Sequence, residues 1–132
     1  MITRRHLLAG FALGTVLLSA AGADALTRRL PFDQKAFDAA QASGRPILVE
    51  VYASWCPVCK VQRPLLTKLG QIPKYQKIAY FEVDFDRQKE VLRALRVSKQ
   101  STLIAFKGKK EIARSTGDTN QASIEALVAK SL

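Results

Sequence analysis

The sequence predicts an α/β fold, a sandwich in which helices cover a central mixed β-sheet. Apolar, strand-like runs at residues 47–53 and 78–85 alternate with segments whose apolar residues have helical spacing. Two further strand-like runs flank a Lys/Gly turn near the C-terminus, which predicts a β-hairpin. Strands that alternate with helices are typical of a sheet with helices on both faces.

The domain is predicted to begin with a helix and a buried strand. The helix covers residues 32–43, with Asp33 as its N-cap and Gly44 as its stop. Apolar residues occupy both parities of residues 47–53, as expected of a strand that is covered on both faces.

A second helix and a second apolar strand follow. The helix covers residues 57–71, where Pro57 suits the first turn because that position needs no N–H donor. Pro64 inside this helix is expected to kink it, since its ring crowds the preceding turn. Residues 78–85 are the second strand.

The C-terminal part is predicted to form a helix, a hairpin and a closing helix. Residues 87–95 form the helix, for which Asp86 is a candidate cap. The hairpin strands cover residues 102–106 and 111–115, and an amphipathic helix covers residues 121–132. The predicted order of elements is therefore α-β-α-β-α-β-β-α.

The composition indicates a single folded domain. The chain has 132 residues, and its apolar content of 48% excludes a disordered chain. Its 21 Lys and Arg residues outnumber its 11 Asp and Glu residues, which gives a net charge of +10. The cations are scattered and form no nucleic-acid motif, so we expect a solvated basic surface, a monomer and no nucleic-acid partner.

The N-terminal segment has the features of an export signal. Paired arginines, Arg4 and Arg5, precede an apolar run at residues 6–23 that contains no acidic residue, lysine or arginine. The Ala-Asp-Ala at positions 23–25 fits a cleavage site with small residues on either side of its centre. Paired arginines before an apolar run are similar to a twin-arginine signal.

These features predict the domain boundaries and the location. We expect residues 1–25 to be a cleaved twin-arginine-type signal, residues 26–132 to be the mature domain and the periplasm to be its compartment. The alternative is an uncleaved membrane anchor through residues 6–23, although this run is short for a permanent span.

The two cysteines of the chain, Cys56 and Cys59, stand between a predicted strand and a predicted helix. Unpaired N–H groups at a helix start favour the thiolate, which is the reactive species in disulfide exchange. Structural zinc needs about four ligands, and the one histidine, His6, lies in the predicted signal. We therefore expect a redox-active pair with no metal or other cofactor; a buried static disulfide is the alternative.

This order of elements, together with the cysteine motif, resembles the thioredoxin superfamily over about residues 32–132. The segments that carry the resemblance are Trp55-Cys56-x-x-Cys59-Lys60, Pro64, Val83-Asp84, Phe106-Lys107-Gly108 and Gly117. The resemblance implies a thioredoxin-like three-layer sandwich and a thiol–disulfide oxidoreductase that acts on protein disulfides or dithiols.

The resemblance also implies roles for single residues. Cys56 would be the exposed nucleophile, and Cys59 the more buried cysteine that resolves the mixed disulfide. Trp55 would shield the pair and offer substrates an apolar contact, or would simply pack. Glu50 takes the place of a buried acid that assists proton transfer at the second cysteine, or is a strand residue neutralised by a nearby cation. Tyr80 stands where a lysine commonly accompanies that acid.

The segment Gln100-Ser101-Thr102 departs from the family pattern, because Ser101 replaces a cis-proline that aligns the substrate backbone. A cis bond before a non-proline residue costs about 3–4 kcal/mol. We nevertheless expect the Gln100–Ser101 bond to be cis, since the strand that begins at Thr102 must enter the sheet beside Cys56. The Ser101 hydroxyl is a candidate contact for the Cys56 sulfur; an ordinary turn serine is the alternative.

The residues beside the cysteines, Pro57-Val58 and Lys60, are further candidates for tuning the site. Val58 keeps an N–H that a proline would lack, and we expect this donor at the Cys56 thiolate. A stabilised thiolate favours the reduced form. With no charged residue between the cysteines, we expect a redox potential between those of strongly reducing and strongly oxidising family members.

Three functions follow from these features. The first is an exported reductase of periplasmic protein disulfides, kept reduced by a membrane electron donor. The second is an oxidase or isomerase that makes or shuffles disulfides. The third is a non-catalytic Cu(I)-binding or adaptor module, because soft thiolates favour Cu(I).

Overall fold

The computed structural model of the protein describes residues 28–132, so the predicted export signal at residues 1–25 lies outside the described residues. Five strands, four α-helices and a short 3-10 helix follow one another in this part of the chain. Their bounds are β1 Leu30–Pro31, α1 Gln34–Ala42, β2 Pro46–Tyr52, α2 Pro57–Gly70, the 3-10 helix Pro73–Tyr75, β3 Ala79–Asp84, α3 Lys89–Ala94, β4 Thr102–Lys107, β5 Lys110–Thr116 and α4 Gln121–Ala129.

The strands form one mixed sheet in the order β1-β3-β2-β4-β5. β1 and β2 are parallel to β3, whereas β4 runs antiparallel to both β2 and β5. β2 is the central strand, and α2 begins beyond its carboxyl end. The cysteine pair therefore lies at the end of the central strand, where the chain leaves the sheet for α2.

Helices cover both faces of the sheet, which confirms the predicted three-layer α/β sandwich. One face carries Leu48 of β2 and Tyr80 of β3, packed against α2 and α4. The other face carries Val49 of β2 and Phe81 of β3, packed against α1 and α3. Successive strand residues point to opposite faces, so apolar residues at both parities are the expected pattern for this central position.

Local capping signals explain where α1 begins and ends. The Asp33 carboxylate accepts the N–H of Ala36 at 2.8 Å, which confirms Asp33 as the N-cap. Gly44 follows the helix with a φ of +73°, a conformation that glycine adopts without strain. The predicted helix start at Phe32 is wrong, because Phe32 is buried beside Phe37 and precedes the cap.

The predicted cap of α3 is also wrong. The N-cap is Gln88 and makes no side-chain capping bond, while the Asp86 carboxylate accepts the indole N–H of Trp55 at 3.0 Å. Asp86 is therefore engaged near the cysteine motif rather than at a helix end.

The predicted hairpin is confirmed, with Gly108 at a φ of +57° in the two-residue turn between β4 and β5. Among residues 28–132, no helix is long and apolar enough to cross a membrane.

Candidate active site

Cys56 is the N-cap of α2, and its sulfur accepts a main-chain hydrogen bond. Its backbone is extended, and Sγ lies 3.1 Å from the amide nitrogen of Cys59. Pro57 occupies the first helical turn, where its missing N–H costs no hydrogen bond. The sulfur thus meets both a directed N–H and the positive end of the helix, and each of these favours the thiolate.

The donor at this sulfur is not the predicted one. The sequence predicts the N–H of Val58 at this sulfur, but the donor is the N–H of Cys59. The side chain of an N-cap residue accepts from the second or third helical residue, and Cys59 is the third. Val58 instead packs half-buried against the cysteines, and Lys60 is exposed, with its N–H bonded to the Cys56 carbonyl.

Both cysteines are free thiols and fully buried, so the predicted exposure of Cys56 is wrong. Ala53 is buried with them, and Tyr52, Val58 and Phe85 pack around the group. The two sulfurs differ instead in their polar surroundings. Cys56 Sγ faces an N–H donor, whereas Cys59 Sγ lies 3.9 Å from the carbonyl oxygen of Val51, an acceptor that favours S–H.

The surroundings of Cys59 keep it protonated. Burial and the hydrogen bond with Cys56 raise the pKa of the Cys59 thiol to about 11. Main-chain hydrogen bonding at Ala53 and Ser101 lowers this pKa and so opposes part of the effect. Cys59 is therefore the thiol of the pair that is held in its protonated form.

Trp55, directly before the pair, is held in place and yet exposed. Its indole N–H donates to Asp86, and its ring packs edge-on against Phe85 with the ring centroids 6.2 Å apart. About half of the residue, 53%, remains accessible. A fixed, exposed aromatic surface beside the thiols can contact an incoming polypeptide without first being ordered.

Glu50 is fully buried on β2 and bonded to three side chains. Arg29 donates from Nε at 2.9 Å, Arg63 from Nε at 3.4 Å and Tyr80 from its hydroxyl at 2.5 Å. Burial, together with the adjacent Glu50 carboxylate, raises the pKa of Tyr80 well above its usual value, so the hydroxyl stays protonated and donates. Of the two predicted alternatives, this arrangement matches an acid neutralised by nearby cations.

A second carboxylate extends this group into a charge network. Glu82 stands beside Glu50 in the β2–β3 register, bonds to Arg63 and lies 3.6 Å from Arg29. Burial outweighs these two cations and raises the pKa of Glu82. The guanidinium carbon of Arg63 also lies 3.1 Å from the centroid of the Tyr52 ring, a cation–π contact. The positive charges of two arginines therefore lie beside the carboxylates of two glutamates on the sheet face that α2 covers.

Ser101 enters β4 through a trans peptide bond, so the predicted cis bond is wrong. The residue turns the chain with a φ of +56°, a left-handed conformation that is uncommon for serine. Its N–H donates to the Val51 carbonyl at 2.8 Å, the same oxygen that lies beside the Cys59 sulfur. The positive φ of Ser101, rather than a cis bond, thus directs the chain into the sheet next to the cysteines.

The hydroxyls of this segment point away from the cysteines. Ser101 Oγ donates to the Gln100 carbonyl at 2.6 Å, so the predicted contact with the Cys56 sulfur is wrong. Thr102 Oγ1 donates to the Lys99 carbonyl and also lies 3.0 Å from the Thr116 hydroxyl of β5. What this segment presents to the cysteine pair is therefore its backbone.

Gln62 is a site residue that the sequence did not single out. It is fully buried on α2, and its amide nitrogen donates to the carbonyls of Ser101 at 3.1 Å and Asp118 at 2.8 Å. Its own Oε1 has no partner, and a buried acceptor without a donor costs about 1–3 kcal/mol. The signal in the sequence that could have identified it is its position, a polar residue one helical turn after Cys59.

The described part of the chain contains no cluster of side chains of the kind that usually binds a metal ion. Within residues 28–132, no three His, Cys, Asp or Glu side chains stand together as ligands would. The chemistry that the described residues support directly is that of the thiols. A reactive sulfur at a helix start and a protonated sulfur one turn later can open and close a disulfide.

Comparison with known proteins agrees with this geometry. The thioredoxin family model matches residues 29–130, which include both cysteines and the whole sheet. The chain is 34% identical to Thioredoxin-2 of Saccharomyces cerevisiae over 97 residues, which make up 73% of this chain and 90% of that protein. It is also 34% identical to a thioredoxin of Chlamydia trachomatis over 98 residues, with coverages of 74% and 92%.

A solved structure gives the same result. The crystal structure of Trxlp from Edwardsiella tarda superposes with a TM-score of 0.73 at 46% sequence identity, covering 76% of this chain and 98% of that chain. The predicted resemblance is therefore confirmed by sequence and by structure. With its paired thiols at the end of the central strand, the chain belongs to the thioredoxin family of thiol–disulfide oxidoreductases.

Proposed function

We propose that this protein is exported and reduces disulfide bonds of other proteins outside the cytoplasm, using Cys56 and Cys59. The observation that carries the proposal is the opposite polar environment of the two sulfurs. Cys56 Sγ accepts an N–H, and Cys59 Sγ faces a carbonyl oxygen. This difference supports Cys56 as the thiol that attacks the client and Cys59 as the thiol that resolves the mixed disulfide.

The reaction has two exchanges. The Cys56 thiolate attacks one sulfur of the client disulfide, forming a mixed disulfide and releasing the other client sulfur as a thiolate. Cys59 then loses its proton and attacks Cys56 Sγ, which releases the second client sulfur. Two electrons and two protons pass in total from the dithiol to the client, and the Cys56–Cys59 disulfide remains.

The ease with which Cys59 loses its proton depends on whether Cys56 is bonded to the client. While Cys56 is unmodified, burial and the Cys56 hydrogen bond hold the pKa of Cys59 at about 11. Once Cys56 is bonded to the client, that hydrogen bond changes, and the main-chain hydrogen bonding at Ala53 and Ser101 that lowers the Cys59 pKa remains. The departing client thiolate is itself a base that can take up the released proton.

The direction of electron flow is argued from the stabilisation of Cys56. The donor to its sulfur is a neutral main-chain amide, and Lys60 is exposed. A strong oxidant needs a strongly stabilised reduced form, and one neutral N–H together with the start of α2 gives only part of that stabilisation. We therefore favour the reductase over the oxidase or isomerase, with a membrane electron donor that returns the pair to the dithiol.

Export is inferred from the N-terminal sequence. Arg4 and Arg5 before the apolar run suggest the twin-arginine route, which delivers a protein to the periplasm. An oxidising compartment is where protein disulfides persist and where a reductase has clients.

Insulin reduction tests the proposed chemistry. We expect the wild-type protein to precipitate insulin B chain in the presence of dithiothreitol, Cys56→Ser to be inactive, and Cys59→Ser to accumulate mixed disulfides with clients. Equal mixed-disulfide trapping by both variants would contradict the assigned roles.

The redox state in cells tests the direction. Alkylation of acid-quenched cells should find the pair mostly reduced, and a mostly oxidised pair would favour the oxidase. Stoichiometric Cu(I) binding by a protein that is inactive on insulin would favour the copper-binding alternative.

A further inference from the structure

Gln62 joins three segments of the chain, one of which is the helix that carries the cysteine pair. Its side chain leaves α2 three residues after Cys59 and donates to the carbonyls of Ser101 and Asp118. These residues lie 39 and 56 positions further along the sequence, in the segments before β4 and before α4. One amide group thus ties the helix that carries the thiols to two separate loops.

Burial of the Gln62 amide costs more free energy than burial of an apolar side chain of the same size would. Gln62 is fully buried, and its Oε1 has no hydrogen-bond partner. An apolar side chain of similar size would fill the same volume without burying that oxygen. What the amide adds, and a methionine would not, is the pair of N–H bonds to the two loops.

The Ser101 loop depends on such bonds for its position. Proline, which would fix the backbone covalently, is absent, and Ser101 has the uncommon φ of +56°. Its carbonyl is held by Gln62 and by the N–H of Gly117 at 3.0 Å, and its own N–H bonds to Val51 beside Cys59. Loss of the Gln62 bond leaves the conformation supported by fewer contacts.

We propose that Gln62 is a positioning residue, which holds the Ser101 and Asp118 loops against α2 so that clients meet a preformed surface at the thiols. The inference rests on the proposed disulfide exchange with protein clients. Without the two N–H bonds the loops would adopt several positions, and a client would have to order them on binding. The expected signature is a raised KM with little change in kcat.

The variant Gln62→Met tests this, since it keeps the size of the side chain and removes both donors. We expect kcat/KM for insulin reduction to fall about tenfold, mainly through KM, because small displacements at a site have large kinetic effects. The melting temperature should change little, because removal of the buried, unpaired Oε1 offsets the loss of the two N–H bonds. Hydrogen exchange at the amides of Ser101 and Gly117 should become faster. The matched control is Gln41→Met, at a half-buried position of α1, which should change none of these quantities.

Several outcomes would overturn the proposal. A folded Gln62→Met protein with wild-type KM and wild-type exchange at Ser101 would do so. A lowered melting temperature with unchanged KM would show a purely structural role. If Gln62→Met does not fold, Gln62→Leu is measured in the same way. If the wild-type protein does not reduce insulin, the proposed function fails, whereas hydrogen exchange still tests whether Gln62 holds the loops.

Discussion

The hydroxyl of Tyr80 lies 2.5 Å from Oε2 of Glu50, in the interior of the sheet face covered by α2. Both side chains are almost completely excluded from solvent. The pair is not isolated, because Arg29 donates to both residues, with its guanidinium 3.1 Å from the Tyr80 oxygen. A buried acid with a tyrosine and two arginines around it is a structural ion network as well as a neighbour of the active site.

Breaking this network should destabilise the protein. We expect Glu50→Gln to lower the free energy of unfolding by about 3 kcal/mol, the lower end for a broken buried ion pair, because Glu82 still partners both arginines. Urea unfolding of the reduced protein measures it. The control is Glu90→Gln, whose exposed pair with Arg93 should contribute less than about 1 kcal/mol. Equal effects of the two substitutions would contradict a stabilising role for the Glu50 network.

The raised pKa of Cys59 predicts a pH dependence of stability. The thiol titrates near its usual value of 9.0 when unfolded and at about 11 when folded. Between these values the unfolded chain has released a proton that the folded chain still holds, so stability falls as pH rises. This contribution is fully present below pH 9 and is lost above pH 11.

Urea unfolding of the reduced protein across this range measures the effect. Other groups titrate in the same window, so the quantity to compare is the difference between wild type and Cys59→Ala at each pH. We expect this difference to become less favourable to the wild type as pH rises from 9 to 11. A difference that is independent of pH would show that Cys59 titrates alike in both states.

Much of the fold was predictable because its signals are local. Asp33 caps the helix that follows it, and Gly108 supplies the positive φ of a two-residue turn. The strand β1 was missed, because two residues, Leu30–Pro31, carry no periodicity and pair with β3 through tertiary contact. The start of α3 was misplaced because the carboxylate of Asp86 had a stronger partner in Trp55, 31 positions away.

The site was predictable only in part, for a related reason. The cysteines, Glu50 and Tyr80 were found from the motif and its neighbouring strands. Arg29 and Arg63 were not, since their bonds to Glu50 span 21 and 13 positions and no local pattern marks them. The conformation of Ser101 was predicted wrongly, because the bonds to its N–H and carbonyl come from distant segments and make a left-handed trans residue stable.

Export through the twin-arginine route predicts a strict need for the paired arginines. Replacing Arg4 and Arg5 together by lysine keeps the charge and removes the recognised pair, so the precursor should stay in the cytoplasm. Fractionation with immunodetection measures the location of the precursor. Replacement of the exposed Arg28 and Arg87 by lysine is the charge-matched control for export. Undiminished export of the first variant would indicate the general secretory route. Mass spectrometry of the exported protein should find Leu26 at its N-terminus, whereas a retained 1–25 segment would support the anchor.

Substitution of Ser101 by proline should destabilise the protein. Proline requires a φ near −65°, whereas Ser101 has +56°, and it removes the N–H that bonds to Val51 at 2.8 Å. We expect a loss of about 3 kcal/mol, similar to that of proline inside a helix, because here too a hydrogen-bonded N–H is lost and the backbone does not fit the ring. Thermal and urea unfolding of the reduced proteins measure it.

The matched control is Ser101→Gly, which keeps the N–H and adopts a positive φ without strain. We expect its stability to lie within about 1 kcal/mol of the wild-type value, since glycine trades backbone strain for unfolded-state freedom. The contrast between the two variants separates the backbone requirement from the side chain, whose hydroxyl bonds only to the adjacent Gln100 carbonyl. A melting temperature for Ser101→Pro above that of the wild type would contradict the trans, left-handed conformation, because proline could then fit only a backbone with negative φ and no bonded N–H.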